Sequence, residues 1–531
     1  MDSVYQIGHT VQHGTDYILG NMEQIILAHI ITLNPAQPRA EAVLVTNRQV
    51  RFVGSRADCL AIAPKAEILD YRQAFLTPGL TDAHIHLTGY GFALAALDLS
   101  ACSSLEQGLA EISHRVSSAP LGTWVQGGGF FPNRWSEDTY PTAADLDRIA
   151  PQHPVYIRTR DGHGAWANTR ALELANIHAG TPDPDGGRIV RDAHGNPTGM
   201  FLEPSAMSLV RSAIPAVTLE ESVTATARAC AQLEAWGYTS VHTMALEPAM
   251  SLRSVQELEQ RGALPLQVWA SIPHADLESV EATGLRGGTG DLVKICGIKF
   301  FADGALGSRT AWMHQPYLGT DSTGVIADPP ELILERGRRA LEMGFCPVVH
   351  AIGDRANHEV LNVLEKLKPL ADARGVRLRL EHAQHLSPTD IARFGALGIV
   401  ASVQAIHLVE DAVPVFGLLG ATRAKTTYAF RTLLETGATL ALGSDASVAS
   451  PEPKLGFEAA VNRIGLDGKP FMPEQSLTPL EALEGYTIGA AKAANWENWY
   501  GQVKQGYKAD FTLWETDPSL EVAKPIKALR I

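Results

Sequence analysis

From about Glu220 onward, apolar positions at helical spacing give way at a glycine to a short run of consecutive apolar residues, and this unit recurs at least four times. Thr218 and Glu221 form a capping-box pattern, and the helix they open runs to Trp236. Gly237 supplies a left-handed stop before Tyr238-Thr239-Ser240-Val241-His242. Pro330 to Met343 stops at Gly344 before Pro347-Val348-Val349-His350, and Glu359 to Arg374 stops at Gly375 before Arg377 to His382. Ser387-Pro388 opens a further helix that Gly398 ends before Ile399 to Val403, and Arg431 to Thr436 ends at Gly437 before Thr439 to Asp445. Strands alternating with helices at this spacing predict a parallel sheet. The strand-like runs at 80–86, 238–243, 266–271, 293–300, 346–350, 377–382, 399–404 and 439–445 make eight, the number of a (β/α)8 TIM-like barrel.

Other regions do not fit the alternation. Gln24 to Ile31 and Ala42 to Gly54 are rich in β-branched residues, and Ala509 to Trp514 has the same texture behind the turn-like Gly501 to Gly506. We therefore expect a small β-sandwich domain built from both chain ends. The expected division is an N-terminal extension at 1–22, the first part of the β-domain at 23–75, the barrel at 76–495 and the second part of the β-domain at 496–531. Between Leu87 and about Thr218 lie further strand-like runs, Thr123 to Gln126 and Pro154 to Arg158, and a hairpin around Gly187 to Val190 with His194-Gly195-Asn196 as its turn. This reads as a large insertion at about 87–218. Because it leaves the C-terminal end of the first barrel strand, where barrel active sites are built, it is expected to roof the site and help select substrate.

Composition narrows the partners. A chain of 531 residues with 45% hydrophobic content is large enough for a catalytic domain plus smaller units. A formal charge of −14 and a pI near 5.7, without any basic run, argue against nucleic acid. Met1 to Met22 has neither the basic start nor the apolar core of a secretory signal or membrane anchor, so a cytoplasmic setting and no membrane partner are expected. Cys59, Cys102, Cys230, Cys296 and Cys346 are scattered and odd in number, which suits buried small side chains better than disulfides or a thiolate zinc site. A small-molecule substrate is the expected partner. Homodimer formation stays open.

Candidate chemistry sits at the strand ends. His84 and His86 are two residues apart on one strand, so both rings can share a face. Among 18 histidines such a pair arises by chance often enough that it decides little alone. Lys299, His350, His382 and Asp445 close later strands, and in a barrel those ends form one ring around one cavity. Histidines with carboxylate-type ligands suit zinc or a similar divalent ion. Lys299 could instead pair with Asp303, and His350 and His382 could be core histidines. His242 and His385 lie near ring positions and read as groups behind the ligands or facing substrate.

His84-x-His86, Lys299, His350, His382 and Asp445 at these strand ends resemble the amidohydrolase superfamily. Gly297 to Thr310, His350-Ala351-Ile352-Gly353-Asp354 and Glu381-His382-Ala383-Gln384 are similar to its YtcJ-like branch, which includes N-substituted formamide deformylases. The resemblance implies two divalent metal ions, usually zinc, bridged by a carbamate that carbon dioxide forms on Lys299. One departure is Asp445-Ala446-Ser447-Val448, where the branch commonly has proline before valine; it bears on loop shape and substrate.

The expected activity is metal-assisted hydrolysis of an amide-type, non-peptide carbon–nitrogen bond, with Asp445 taking the proton of the attacking water and returning it to the leaving nitrogen. An ester or lactone hydrolase and a single-metal deaminase are the enzymatic alternatives; a non-catalytic scaffold fits poorly with six filled ligand positions. Candidate substrate contacts are Asp161, His163, Trp124, Arg309 and Gln404, with the glycines Gly127, Gly128 and Gly129 beside Trp124.

Overall fold

The eight apolar runs form eight parallel strands: Leu80–Ile85, Tyr238–Thr243, Gln267–Pro273, Val293–Phe301, Cys346–Ala351, Arg379–His382, Val400–Val403 and Thr439–Leu442. Each pairs with its neighbour in chain order. Most of these strands are buried on both faces, as a parallel sheet covered on both sides requires. Past the last strand, the Asp445 N–H donates to the His84 carbonyl at 2.7 Å and the Ser444 N–H to Asp82 Oδ1 at 3.0 Å, drawing the eighth strand's end against the first. The architecture is a TIM-like barrel with an additional domain.

The structure is a computed structural model that describes residues 23–130, 135, 140–160, 162–245, 247 and 250–531. Two compact units are present, the first comprising the chain up to Ile85, Leu233–Thr243 and Pro265–Ile531, the second His86–Gln232 and Met244–Leu264.

In the first unit, helices between strands end as the glycine spacing predicts. Gly375 (φ 64°) and Gly398 (φ 63°) take the left-handed C-cap conformation after Asp354–Arg374 and Pro388–Leu397, where a Cβ would be strained. The chain ends build a six-stranded sheet in the order Pro525–Arg530, Asp510–Trp514, Glu67–Pro78, Glu23–Ile31, Arg39–Thr46, Gln49–Gly54. Where a sandwich is expected, the arrangement is one sheet with helix Arg56–Ile62 on one side. Alternation along Glu23–Ile31 sends Ile25 and Leu27 toward Cys59 of that helix, and Ile26 and Ile30 toward Leu76, Phe511 and Leu513 on the opposite face. The single run Ala42 to Gly54 is in fact a hairpin, turned at Asn47 (φ 51°) and Arg48 (φ 63°), the two-residue positive-φ turn that matches strand twist. Glu67–Pro78 then delivers the chain through Gly79 into the first barrel strand. A Cβ on Gly79 would lie 1.9 Å from Thr239 Oγ1, so that junction admits only glycine without rearrangement.

The second unit is built on a mixed six-stranded sheet in the order Arg188–Arg191, Pro197–Leu202, Gly164–Ala167, Val155–Thr159, Val125–Phe130, Leu97–Asp98. Its hairpin turns through Gly195 (φ 82°), within the predicted turn. Trp166, Phe130 and Trp135 pack in its core.

All five cysteines are free thiols, with Cys59, Cys230 and Cys346 buried. Among the described residues no single helix is long and apolar enough to cross a membrane; the bent pair Ala405–Asp411 and Pro414–Ala424 passes by length and composition only.

Candidate metal centre

Parallel strands put their C-terminal ends on one rim, and the rim gathers the predicted residues. The His84 and His382 rings are 4.8 Å apart between centroids, and those of His350 and His382 are 4.4 Å apart. His84 Nε2 lies 3.5 Å from Asp445 Oδ1. The ligand-type atoms of His382, His407 and Asp445 fall within 4.8 Å of one another, while the first strand ends at Ile85, so His86 lies one residue past it as the cap of helix Leu87–Ala93 rather than on the strand with His84. Lys299, 1% exposed, sits two residues before the end of its strand with Nζ 5.0 Å from the Phe301 ring centroid. The same Phe301 ring lies 5.3 Å from the His350 ring between centroids, which places Lys299 beside the histidine cluster.

Backbone conformation explains how adjacent residues serve different purposes. On a regular strand Glu381 and His382 would point to opposite faces. His382 has φ 74° and Asp445 φ 58°, so extended alternation stops at two of the candidate ligands. Left-handed backbone in a non-glycine residue costs on the order of 1–3 kcal/mol and persists where the surroundings fix it, which makes these two positions functional candidates in their own right. The Ala446–Ser447 peptide that follows is cis.

Electrostatics keep the rings neutral. Burial, then the nearby Lys299 charge, pushes His84 down to about 4 and His350 down to about 3. Burial also holds His382 well below the ordinary histidine range, with His350 adding to the effect. A neutral imidazole has a lone pair to give, which is the form a metal takes. The His382 Nδ1 atom is buried and makes no hydrogen bond among the described residues. His350 Nε2 is 3.1 Å from the Gly304 carbonyl, which can only accept, so Nε2 donates and Nδ1 keeps its lone pair. These donors fit a borderline divalent cation. Burial lowers Lys299 to about 8, so an appreciable fraction of its amine is uncharged near neutral pH.

The ion pair between Lys299 and Asp303 is not formed. The Asp303 carboxylate accepts instead from the backbone N–H groups of Trp312 (2.8 Å), Ile352 (3.0 Å) and Gly353 (2.7 Å), fixing the loops after the fourth and fifth strands. Its Oδ1 is also 3.5 Å from His350 Nε2.

Two positions beside the candidate ligands escape the sequence reading. Arg379 is fully buried and grips Glu381 through Nε to Oε1 (2.5 Å) and Nη2 to Oε2 (2.9 Å). Burial alone would raise Glu381, but the guanidinium and His84 hold it well below the usual carboxylate range. Glu381 Oε2 then meets His84 Nδ1 at 2.6 Å. The available signal was the spacing of Arg379 and Glu381, at i, i+2 on one face of the short strand Arg379–His382. His407 lies on the 3-10 turn Ala405–His407 beyond the seventh strand, with Nε2 3.9 Å from Asp445 Oδ2. No strand-end rule reaches that far.

The remaining candidates separate clearly. His242 is buried between Trp269 and Trp496 and accepts from Arg379 Nη1 at 2.9 Å, behind the ligand ring. His385 is buried against Thr427 Oγ1 at 2.9 Å and Gln384, and burial drives it to about 3. Gln404 is buried just past the seventh strand. Arg309 is exposed, with φ 57°, on the loop after the fourth strand. In the second unit Trp124 packs against a hydrophobic cluster that includes Tyr156 and Phe201, and His163 pairs with Glu203 at 2.9 Å. Asp161 lies outside the described residues.

A parallel barrel whose strand ends gather neutral histidines, a buried lysine and a carboxylate defines a metallohydrolase-type scaffold. The amidohydrolase family model matches residues 67–527, and the chain belongs to that family. It is 34% identical over 504 residues to YtcJ of Bacillus subtilis, covering 92% of this chain and 93% of that one. It is 29% identical over 518 residues to an N-substituted formamide deformylase of Arthrobacter pascens, covering 93% of each. The crystal structure of an uncharacterized metal-dependent hydrolase from Pyrococcus horikoshii superposes with a TM-score of 0.81 at 27% identity, covering 94% of this chain and 98% of the other.

Proposed function

We propose that the protein is a metal-dependent hydrolase that cleaves an amide-type, non-peptide carbon–nitrogen bond of a small molecule. The observation that carries this reading is the convergence of His84, His350, His382 and Asp445 on one barrel rim, with rings 4.4–4.8 Å apart and held neutral by burial. The deformylase relative, alike over nearly its whole length, supports the bond class.

In this reading His84, His86, Lys299, His350, His382 and Asp445 hold two divalent ions, zinc being the best match to the donor set. Lys299 contributes as a carbamate: its uncharged amine attacks carbon dioxide, a nitrogen–carbon bond forms, one proton leaves to solvent, and the resulting anion offers two oxygens. Burial favours this, because it raises the uncharged fraction of the amine. Bound ions would supply Lewis acidity, lowering the pKa of water from 15.7 toward about 7 and polarising a carbonyl.

The chain's own residues do the rest. Asp445 accepts the proton of the attacking water on its carboxylate and returns it to the leaving nitrogen. Its position is set by the hydrogen bond from its N–H to the His84 carbonyl, and its two oxygens face His84 on one side and His407 on the other. Glu381 keeps His84 oriented, and the three N–H groups that Asp303 accepts hold the loops beside His350.

The test is a hydrolysis screen of N-formyl and N-acyl amines, cyclic amides and esters with protein as purified, after chelation and after zinc is restored. Amide turnover that vanishes on chelation and returns with zinc is the expected result. Ester turnover far above amide turnover would move the bond class, and full activity in stripped protein would overturn the reading.

A further inference from the structure

One guanidinium inside the barrel gathers groups from strands far apart in the chain. Besides its two bonds to Glu381, Arg379 donates through Nη2 to the Ala83 carbonyl (2.7 Å) and Ser402 Oγ (2.9 Å), and through Nη1 to His242 Nδ1 (2.9 Å). It also lies 5.1 Å from the Trp269 ring centroid. The first, second, third, sixth and seventh strands therefore all contribute to its surroundings, and neither Arg379 nor Glu381 has any exposed surface.

A carboxylate clasped by arginine can only accept, so the ring nitrogen facing it must donate. Glu381 Oε2 is 2.6 Å from His84 Nδ1, which assigns the proton to Nδ1 and leaves the lone pair on Nε2, the atom facing Asp445. Without that partner the neutral ring could carry its proton on either nitrogen and turn about its bond to Cβ. Glu381 in turn has its orientation fixed by Arg379, whose other donors are spent on the first, second and seventh strands.

We infer that Arg379 and Glu381 are a positioning pair for the metal centre, holding His84 in the Nδ1–H tautomer with Nε2 delivered to the cation from a floor that ties the strand ends together. This rests on the metal-site reading above. Neither residue touches the substrate or the ion; both act through His84.

Glu381→Gln keeps the shape and an acceptor but leaves Arg379 without its counter-charge, so a second variant, Arg379→Met with Glu381→Gln, removes both charges together. For each, zinc affinity is measured by competition with a chromophoric chelator, and the melting temperature is recorded for stripped and loaded protein. A positioning role predicts a 10- to 100-fold loss of zinc affinity and a smaller gain in melting temperature on loading, in every variant that folds. A merely structural role predicts a lower melting temperature in both forms with zinc affinity unchanged, and that outcome overturns the inference. Absence of zinc binding by the parent protein would instead overturn the metal-site reading itself. Where Glu381→Gln does not fold, the double variant decides.

Discussion

Two histidine–carboxylate pairs mark the two units, and they behave oppositely. His84 and Glu381 meet at 2.6 Å with side chains 1% and 0% exposed, whereas His163 and Glu203 meet at 2.9 Å with side chains 65% and 49% exposed. Water screens the second pair, so it contributes at most about 1 kcal/mol. The first pair is shielded from water, backed by Arg379, and surrounded by rings that burial keeps neutral. Residue type is nearly identical in the two places. Burial and the groups behind each pair hold one in a fixed, dry setting and leave the other a solvated contact.

The largest expected effect that would sharpen this contrast comes from Asp445. Asp445→Asn keeps the shape at the rim but cannot accept a proton, so kcat should fall by about 10²–10⁴-fold while the melting temperature changes little. Near-parental turnover in steady-state assays would remove Asp445 as the base.

Next in size is Lys299→Ala. If Lys299 carries the proposed bridging anion, its loss should reduce bound metal below two ions per chain and reduce activity with it, and added acetate or propionate should partly restore both by occupying the space left. Metal analysis and turnover against carboxylate concentration provide the check. Full metal loading and activity without added acid would show that Lys299 is no bridge.

A smaller effect concerns pH and the stripped protein. An unfolded histidine titrates near 6.5, whereas folded His84 and His350 are pushed down to about 4 and about 3, chiefly by burial. Below 6.5 the unfolded chain binds more protons, so the stability these neutral rings contribute is complete above 6.5 and is lost as pH falls toward about 4 for His84 and about 3 for His350. The slope is up to about 1.4 kcal/mol per pH unit for each ring. Denaturant unfolding of stripped protein at pH 7, 6 and 5 should show the decline. A flat profile would mean the rings are not held neutral.

The smallest effect belongs to the second unit. His163→Ala should change stability by less than about 1 kcal/mol, since both partners are exposed. Any kinetic change should be confined to KM; a large drop in kcat would place His163 in the chemistry and break the comparison.

The barrel was legible because each unit announced itself twice, by a glycine stop and by a short apolar run, and the rim residues followed because parallel strands end together. His84, Lys299, His350 and Asp445 could be named from that rule alone. The rule says nothing about side chains inside the barrel, so nothing in the run Arg377 to His382, which alternates charged and apolar residues up to Glu381, marked Arg379 as a hub. It also gives no account of residues beyond the rim, and His407 reaches Asp445 from a 3-10 turn four positions past the last residue of its strand. The left-handed backbone at His382 and Asp445 has no sequence mark, because neither is glycine. In the small domain the turn at Asn47–Arg48 was hidden inside a run whose apolar residues continue on both sides.

Metal content is the most direct test of the proposed two-ion centre. Elemental analysis of gently purified protein, paired with turnover of an N-formyl amine by the same samples, should give close to two divalent ions per chain, with activity falling in proportion as ions are withdrawn and recovering as zinc is returned. A stable, fully active protein carrying no metal would contradict it.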